Sequence, residues 1–221
     1  MANTSTNETL NKLQDLYLNQ KFDDFINLLL KEKASFPLGQ FHYNLGTAYL
    51  KIENIGAARF HLEKSIWAGY SKSGALKNIN LVKTNVIGVQ AESSQDFYDF
   101  FWRSSKEIPS EAYMTLSLMI ILAGIVGVAL KKIKKVPGVV LILAVACIPV
   151  LFSSIFVKKL NYAVSLVDAE IREGPSKIFE VSRPLPAGLK VLVEQPKDGW
   201  YYIKSPVDLA GWVRSKDLGV Y

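Results

Sequence analysis

Few side chains in this sequence could move a proton, hold a metal or attack a substrate. Two histidines, His42 and His61, one cysteine, Cys147, and the acidic pair Asp23-Asp24 are the candidates. A single cysteine excludes a disulfide framework and any cysteine-based zinc site, and two histidines are too few for a histidine-rich metal centre. There is no glycine-rich phosphate loop, no nucleophile elbow and no set of His, Asp and Glu at metal-ligand spacing. His42 and His61 fall in helical patterns, where packing is their expected role. Asp23-Asp24 reads as a solvated helix face, and Cys147 as a small apolar residue facing lipid or a neighbouring helix. The expectation is a protein that binds rather than catalyses, with no enzyme activity, no cofactor, no metal and no small-molecule substrate.

Residues suited to holding another protein are clearer. Tyr43, Thr47 and Lys51 stand four apart, so a helix places them on one side. They offer a ring, a hydroxyl and a cation, a set that suits an extended or helical peptide. Trp200 and Tyr202, in a segment rich in strand formers, are candidates for an exposed aromatic groove. A third set, Lys131, Lys132, Lys134 and Lys135, acts on topology. The elements needed to position these groups differ in kind.

The chain has 221 residues and a net charge of +6. Residues 1–112 carry 12 basic and 12 acidic side chains, residues 113–157 carry four lysines and no acid, and residues 158–221 carry 10 bases against 8 acids. Most of the basic excess is therefore one short cluster between two apolar runs, and no basic face for nucleic acid is expected.

Ala112 to Leu130 and Val139 to Val157 are each 19 residues without an acidic, basic or histidine side chain. As helices each covers about 28 Å, close to the hydrocarbon thickness of a bilayer. With Pro137-Gly138 at the entrance of the second, they predict a tight two-span hairpin. Tyr113 is placed to anchor in the headgroup layer with Trp102 further out, and Pro149 is expected to kink the second span. Ala123 and Gly127 would let another helix approach closely. The spans lack acidic, basic or histidine side chains, which argues against transport. The lysines place the loop in the cytoplasm and both terminal regions outside. No signal peptide is visible in the polar residues 1–20, which cuts against that orientation, but the lysine cluster is taken to decide it.

Residues 41–50, Phe41-His42-Tyr43-Asn44-Leu45-Gly46-Thr47-Ala48-Tyr49-Leu50, followed by Ala57-Ala58 and Leu62, have the rhythm of a tetratricopeptide (TPR) repeat. Gly46 and Ala58 are small where the two helices of a repeat would touch, and Leu45 and Tyr49 would fill the groove between them. Residues 20–26 resemble the second helix of an earlier repeat that closes at Pro37. Phe25 and Ala58 then occupy equivalent sites 33 residues apart, near the 34-residue period. A further first helix, roughly Ala75 to Val86, would cap the stack. Thr47 stands where carboxylate-clamp repeats use asparagine, so that ligand class is not supported.

After Asn161 the period changes to that of short strands, Leu189–Val193 and Trp200–Ile203 among them, punctuated by Gly188, Asp198-Gly199 and Gly211. Gly174-Pro175, Gly188, Gly199-Trp200 and Gly211-Trp212-Val213 are spaced as in bacterial SH3-like domains, and Trp212 is expected to pack in or beside the core. The expected fold is a multidomain membrane protein combining an all-α TPR-like helical repeat, two transmembrane helices and a small all-β SH3-like barrel. Its divisions are a repeat domain at 1–90, a juxtamembrane linker at 91–111, spans at 112–130 and 139–157, a basic loop at 131–138, and the SH3-like domain with its linker at 158–221.

That order of modules resembles the bacterial Bacteroides-aerotolerance (Bat) family over essentially the full chain. The match is carried by residues 43–49, by the spans around Lys131–Lys135, and by Gly199-Trp200 with Gly211-Trp212-Val213. The resemblance implies an inner-membrane scaffold whose protein partners are other Bat-type membrane proteins with von Willebrand A domains and a MoxR-type AAA+ ATPase, in envelope stress tolerance or aerotolerance. The alternative is an envelope sensor or wall-binding protein acting through the barrel.

Overall fold

The computed structural model describes residues 2–70, 73–85, 96–130 and 136–221. Five helices come first: α1 (Ala2–Leu18), α2 (Phe22–Lys31), α3 (Leu38–Lys51), α4 (Ile55–Trp67) and α5 (Ser73–Asn85). Each packs on the next in chain order. Their apolar positions recur at helical spacing: Phe25, Ile26 and Leu29 on α2, and Phe41, Leu45 and Ala48 on α3, join one buried cluster. Asn54 starts α4 by accepting the Ala57 N–H at 3.2 Å. The α3–α4 contact is as close as Gly46 and Ala58 predict. A Cβ built on Gly46 would stand 2.7 Å from Leu62 Cγ and 3.1 Å from the Ala58 carbonyl oxygen. The capping helix ends at Asn85, so Val86 and the rest of the 1–90 region lie outside the described residues.

Within the juxtamembrane segment 91–111 the described residues begin at Asp96. From Phe97 to Glu107 the segment forms helix α6, started by Asp96, which accepts the Tyr98 N–H at 2.7 Å. Helices α7 (Ser110–Ala129) and α8 (Val136–Ile155) follow and pack on each other. Both are long and apolar enough to cross a membrane. Their bounds shift from the expected 112–130 and 139–157, because Pro137 sits inside the first turn of α8, where the missing N–H has no partner to lose. Large apolar side chains such as Leu118, Leu122, Leu141 and Ile148 remain exposed along them, and such a surface needs a second apolar medium to cover it. The two helices approach closely at Gly124, next to Ala123 and three residues before Gly127. A Cβ on Gly124 would meet Ile142 Cγ2 at 2.5 Å. Pro149 lies within α8. Tyr113 is buried, and its hydroxyl donates to the Ser105 carbonyl at 2.9 Å, tying α7 to α6 rather than only reaching for headgroups. Trp102, expected further out, stacks on Phe152 of α8.

The C-terminal part is one antiparallel sheet of seven strands: β1 (Asn161–Ser165), β2 (Ala169–Arg172), β3 (Val181–Leu185), β4 (Lys190–Val193), β5 (Trp200–Ser205), β6 (Gly211–Arg214) and β7 (Leu218–Val220), in the order β3-β2-β6-β5-β4-β1-β7. Side chains from all seven strands, from Ala163 on β1 to Leu218 on β7, belong to one buried cluster. Hydrogen-bonded pairing does not join β3 to β7 among the described residues, so closure is a matter of shared core rather than a continuous ladder. The turn before β5 has positive φ at Asp198 (50°) and Gly199 (81°). An Asp-Gly pair tolerates that conformation, and it matches the twist of the flanking strands.

The helical part and the sheet share a core. Ala58, Leu62, Ile79 and Val82 belong to the same buried cluster as the strand residues, and α4 packs on β1 and β7. The approach is tight: a Cβ on Gly56 would stand 2.1 Å from the Leu166 carbonyl oxygen, and one on Gly219 would stand 2.5 Å from the Phe60 ring. Glu63 of α4 anchors this contact. Its Oε1 accepts from Arg59 Nε at 2.8 Å, and its Oε2 accepts from Lys190 Nζ at 3.0 Å and from the Tyr221 hydroxyl at 3.2 Å. Burial alone would raise the Glu63 carboxyl, but the adjacent Lys190 and Arg59 charges and their hydrogen bonds hold it below the ordinary carboxylate range. Burial and the Glu63 charge push the Tyr221 hydroxyl far up, so it stays a donor.

Candidate functional site

Helix α3 presents Tyr43, Thr47 and Lys51 toward the side where α1 and α5 flank it. A cavity of about 290 Å³ lies between α1 and α3, lined by Leu13, Gln14, Tyr17 and Leu18 from α1, Phe25 from α2, and Tyr43, Asn44 and Thr47. A second, of about 540 Å³, lies between α3 and α5, lined by Thr47, Leu50, Lys51, Glu53, Ile55, Asn78 and Leu81. Thr47 belongs to both, so the two form one trough across the helices. Its character changes along its length, from aromatic and aliphatic beside α1 to polar and charged beside α5.

The three expected residues are not equally free. Lys51 is exposed. Thr47 accepts from Asn78 Nδ2 at 3.1 Å through its hydroxyl oxygen. Tyr43 leans on the Tyr70 ring at 5.0 Å and is half-buried, so it is part wall and part packing. The sequence reading missed Gln14, Tyr17, Asn44 and Asn78. Leu13 and Tyr17 are four apart on α1, and extending the helical phase of α3 to its flanking helices would have found them. Burial raises the Tyr17 hydroxyl above the ordinary phenol range, with Tyr43 adding to the effect.

The second expected site is corrected. Trp200 is buried, at 8% exposure, and lines no exposed groove. Tyr202 stays half-exposed and pairs across strands β5 and β6 with Trp212, ring centroids 5.3 Å apart and edge to face. The outward aromatic pair is therefore Tyr202–Trp212. Trp200 exchanges two backbone hydrogen bonds with Lys197 across the Asp198-Gly199 turn, and, two residues before Tyr202 on β5, it shares that residue's side of the strand. Lys131, Lys132, Lys134 and Lys135 lie outside the described residues.

No protein-family model, curated protein or solved structure matches the chain.

The two histidines meet, which their 19-residue separation did not suggest. Nδ1 of His42 and Nδ1 of His61 are 2.8 Å apart, so one ring donates and the other accepts. His61 is stacked between His42 and Tyr49. No group of three or more metal-ligating side chains occurs among the described residues. Burial lowers His42 to about 4, helped by Lys64 and Lys33. Burial also lowers His61 to about 3, helped by His42 and Lys64. In the unfolded chain both titrate near 6.5, so below that pH the unfolded state binds more protons than the folded one. The pair's contribution to stability is complete above pH 6.5 and is lost as pH falls toward 4 and 3. The melting temperature of the detergent-solubilised chain is expected to drop by several degrees between pH 7 and pH 5. A His42→Leu/His61→Phe variant should show a much flatter profile; an equally steep one would assign the loss to other groups.

Proposed function

We propose that this chain is a non-enzymatic, two-span scaffold of a bacterial inner membrane, of the BatE type within the Bacteroides-aerotolerance family. In this reading α1–α5 are tetratricopeptide-type repeats, the sheet is a bacterial SH3-like domain, and α7 and α8 cross the bilayer. The lysine loop at 131–138 is cytoplasmic and both soluble parts are outside. The partners are other Bat-type membrane proteins with von Willebrand A domains, together with a MoxR-type AAA+ ATPase, acting in envelope stress tolerance.

The observation that supports this reading is the trough shared by α1, α3 and α5. Its two cavities adjoin at Thr47 and grade from apolar beside α1 to polar beside α5. Such a surface fits a peptide that seats an apolar side chain beside Tyr17 and Phe25 and polar ones beside Lys51 and Asn78. Gln14 and Lys51 are exposed, so substitutions there should change stability by less than about 0.5 kcal/mol. A Gln14→Trp/Lys51→Glu variant fills one cavity and reverses the charge of the other. It is expected to insert and melt as the parent does, yet to lose its membrane partner in pull-downs from mild detergent. Unchanged capture by this variant would rule the trough out as the docking site. The alternative sensor or wall-binding role draws on the outward Tyr202–Trp212 pair. Retention on peptidoglycan, abolished by Tyr202→Ala, would favour it.

A further inference from the structure

Helix α6 has two opposed faces. Its polar side is pinned to the sheet. The Asp99 carboxylate accepts the Val207 N–H at 3.0 Å through both oxygens, and Arg103 Nε donates to Ser205 Oγ at 3.1 Å. Behind these, the Lys204 ammonium sits 4.9 Å from the Trp102 ring centre. The other side carries Phe97, Phe100, Phe101 and Ile108, exposed by 77, 66, 39 and 44%. Positions 97, 100 and 101 fall within about 100° of arc on α6, and Ile108 follows at its C-terminal cap. Three exposed phenylalanines on so short a helix form an apolar patch that a soluble surface does not carry without a partner.

The level of that patch relative to the membrane helices identifies the partner. The Phe101 ring lies 5.8 Å from the ring of Phe152, which stands three residues, or roughly 4.5 Å along the axis, inside the end of α8. The Tyr113 hydroxyl holds the Ser105 carbonyl of α6 against the first turn of α7. Both ties fix α6 at the mouth of the helical pair, and Pro109 prevents it from continuing α7. An amphipathic helix at this depth meets the boundary between headgroups and acyl chains.

We propose that α6 is an interfacial membrane helix that inserts Phe97, Phe100 and Phe101 into the bilayer at the headgroup–acyl boundary and thereby clamps the sheet to the membrane surface. This rests on α7 and α8 crossing the bilayer. Arg103 is turned toward the sheet and the face that bears Phe97, Phe100 and Phe101 carries no cation, so apolar area rather than anionic lipid holds it. The test uses the full chain with Cys147→Ala, reconstituted at low protein-to-lipid ratio in phosphatidylcholine vesicles. Single cysteines replace Phe97, Phe100, Leu151 on α8, or Lys31 on α2, and each carries a nitroxide. Collisions with oxygen, which partitions into lipid, are compared with collisions with a water-soluble nickel chelate. The oxygen-to-nickel ratio at Phe97 and Phe100 is expected to exceed that at Lys31 several-fold and to approach that at Leu151. A Leu151 ratio like that of Lys31 would defeat the spanning reading itself. A membrane-like Leu151 with Phe97 and Phe100 matching Lys31 would overturn the α6 proposal alone. So would protection at Phe100 that disappears on further dilution in lipid, since a second copy would then be the cover.

Discussion

Replacing Glu63 with alanine is expected to loosen the helical part from the sheet at a cost of about 3–5 kcal/mol, the range for breaking a buried ion pair from one side. The carboxylate is 12% exposed and binds Arg59, which is 1% exposed, and Lys190, which is 28% exposed. Without it, two cations face each other across a contact built from apolar residues. Lys190 reaches water in part, which places the effect toward the lower end of that range. For a chain of this size the loss corresponds to a fall in melting temperature of roughly 10 °C, measurable by tryptophan fluorescence. Glu63→Gln keeps the acceptor oxygen and should fall between the two. The lowered carboxyl also sets a pH dependence: its stabilisation is present above the ordinary carboxylate range and fades as pH falls through its depressed value. If Glu63→Ala melts within a degree of the parent, the charge cluster does not hold the two parts together.

Gly46→Leu is the second large effect. At an ordinary helix position, exchanging glycine for a better helix former gains up to about 1 kcal/mol. Here the first added carbon would lie 2.9 Å from the Leu62 backbone nitrogen and 2.7 Å from its Cγ. Backbone does not yield as a flexible side chain does, so α3 and α4 must separate. Overpacking of this kind typically costs about 1–3 kcal/mol, occasionally more. It would also shift the α3 wall of the trough, so partner capture and thermal stability should fall together. A parent-like melt for Gly46→Leu would mean that α3 and α4 do not approach as closely as described.

Much of the helical architecture was legible because periodicity reports burial. Leu45, Gly46 and Ala58 announce a close helix pair before any coordinates, and the two uncharged runs announce membrane-length helices. What escaped was set by pairings between distant segments. Tyr43 reads as a surface ring until Tyr70 lies against it, and Trp200 reads equally as groove or core until the fold shows it buried. Tyr202 and Trp212 are both strand aromatics in the sequence, and only the β5–β6 register makes them neighbours. Similarly, Gly124 is the close-approach residue of α7 because of its phase relative to Ile142, which composition cannot specify. Helix α6 was hidden for a different reason: its phenylalanines are interrupted by Asp99 and followed by Arg103, Lys106 and Glu107 over too short a length to resemble either a span or a core helix.

The shared core between α4 and the sheet joins segments made before and after both membrane helices. During synthesis, the back of α4, with Phe60 and Glu63, therefore waits without its cover until the last sixty or so residues have emerged. Under the proposed two-span reading, that cover can arrive only if both termini are on the same side of the bilayer. A chain in which α7 or α8 fails to insert strands the sheet on the opposite side and leaves α4 with an apolar surface and an unsatisfied charge cluster. Exposed surface of that kind is what housekeeping proteases and chaperones recognise. Docking of the last strands onto α4 is therefore the final packing event open to the chain, and under the two-span reading it is open only once both helices have inserted.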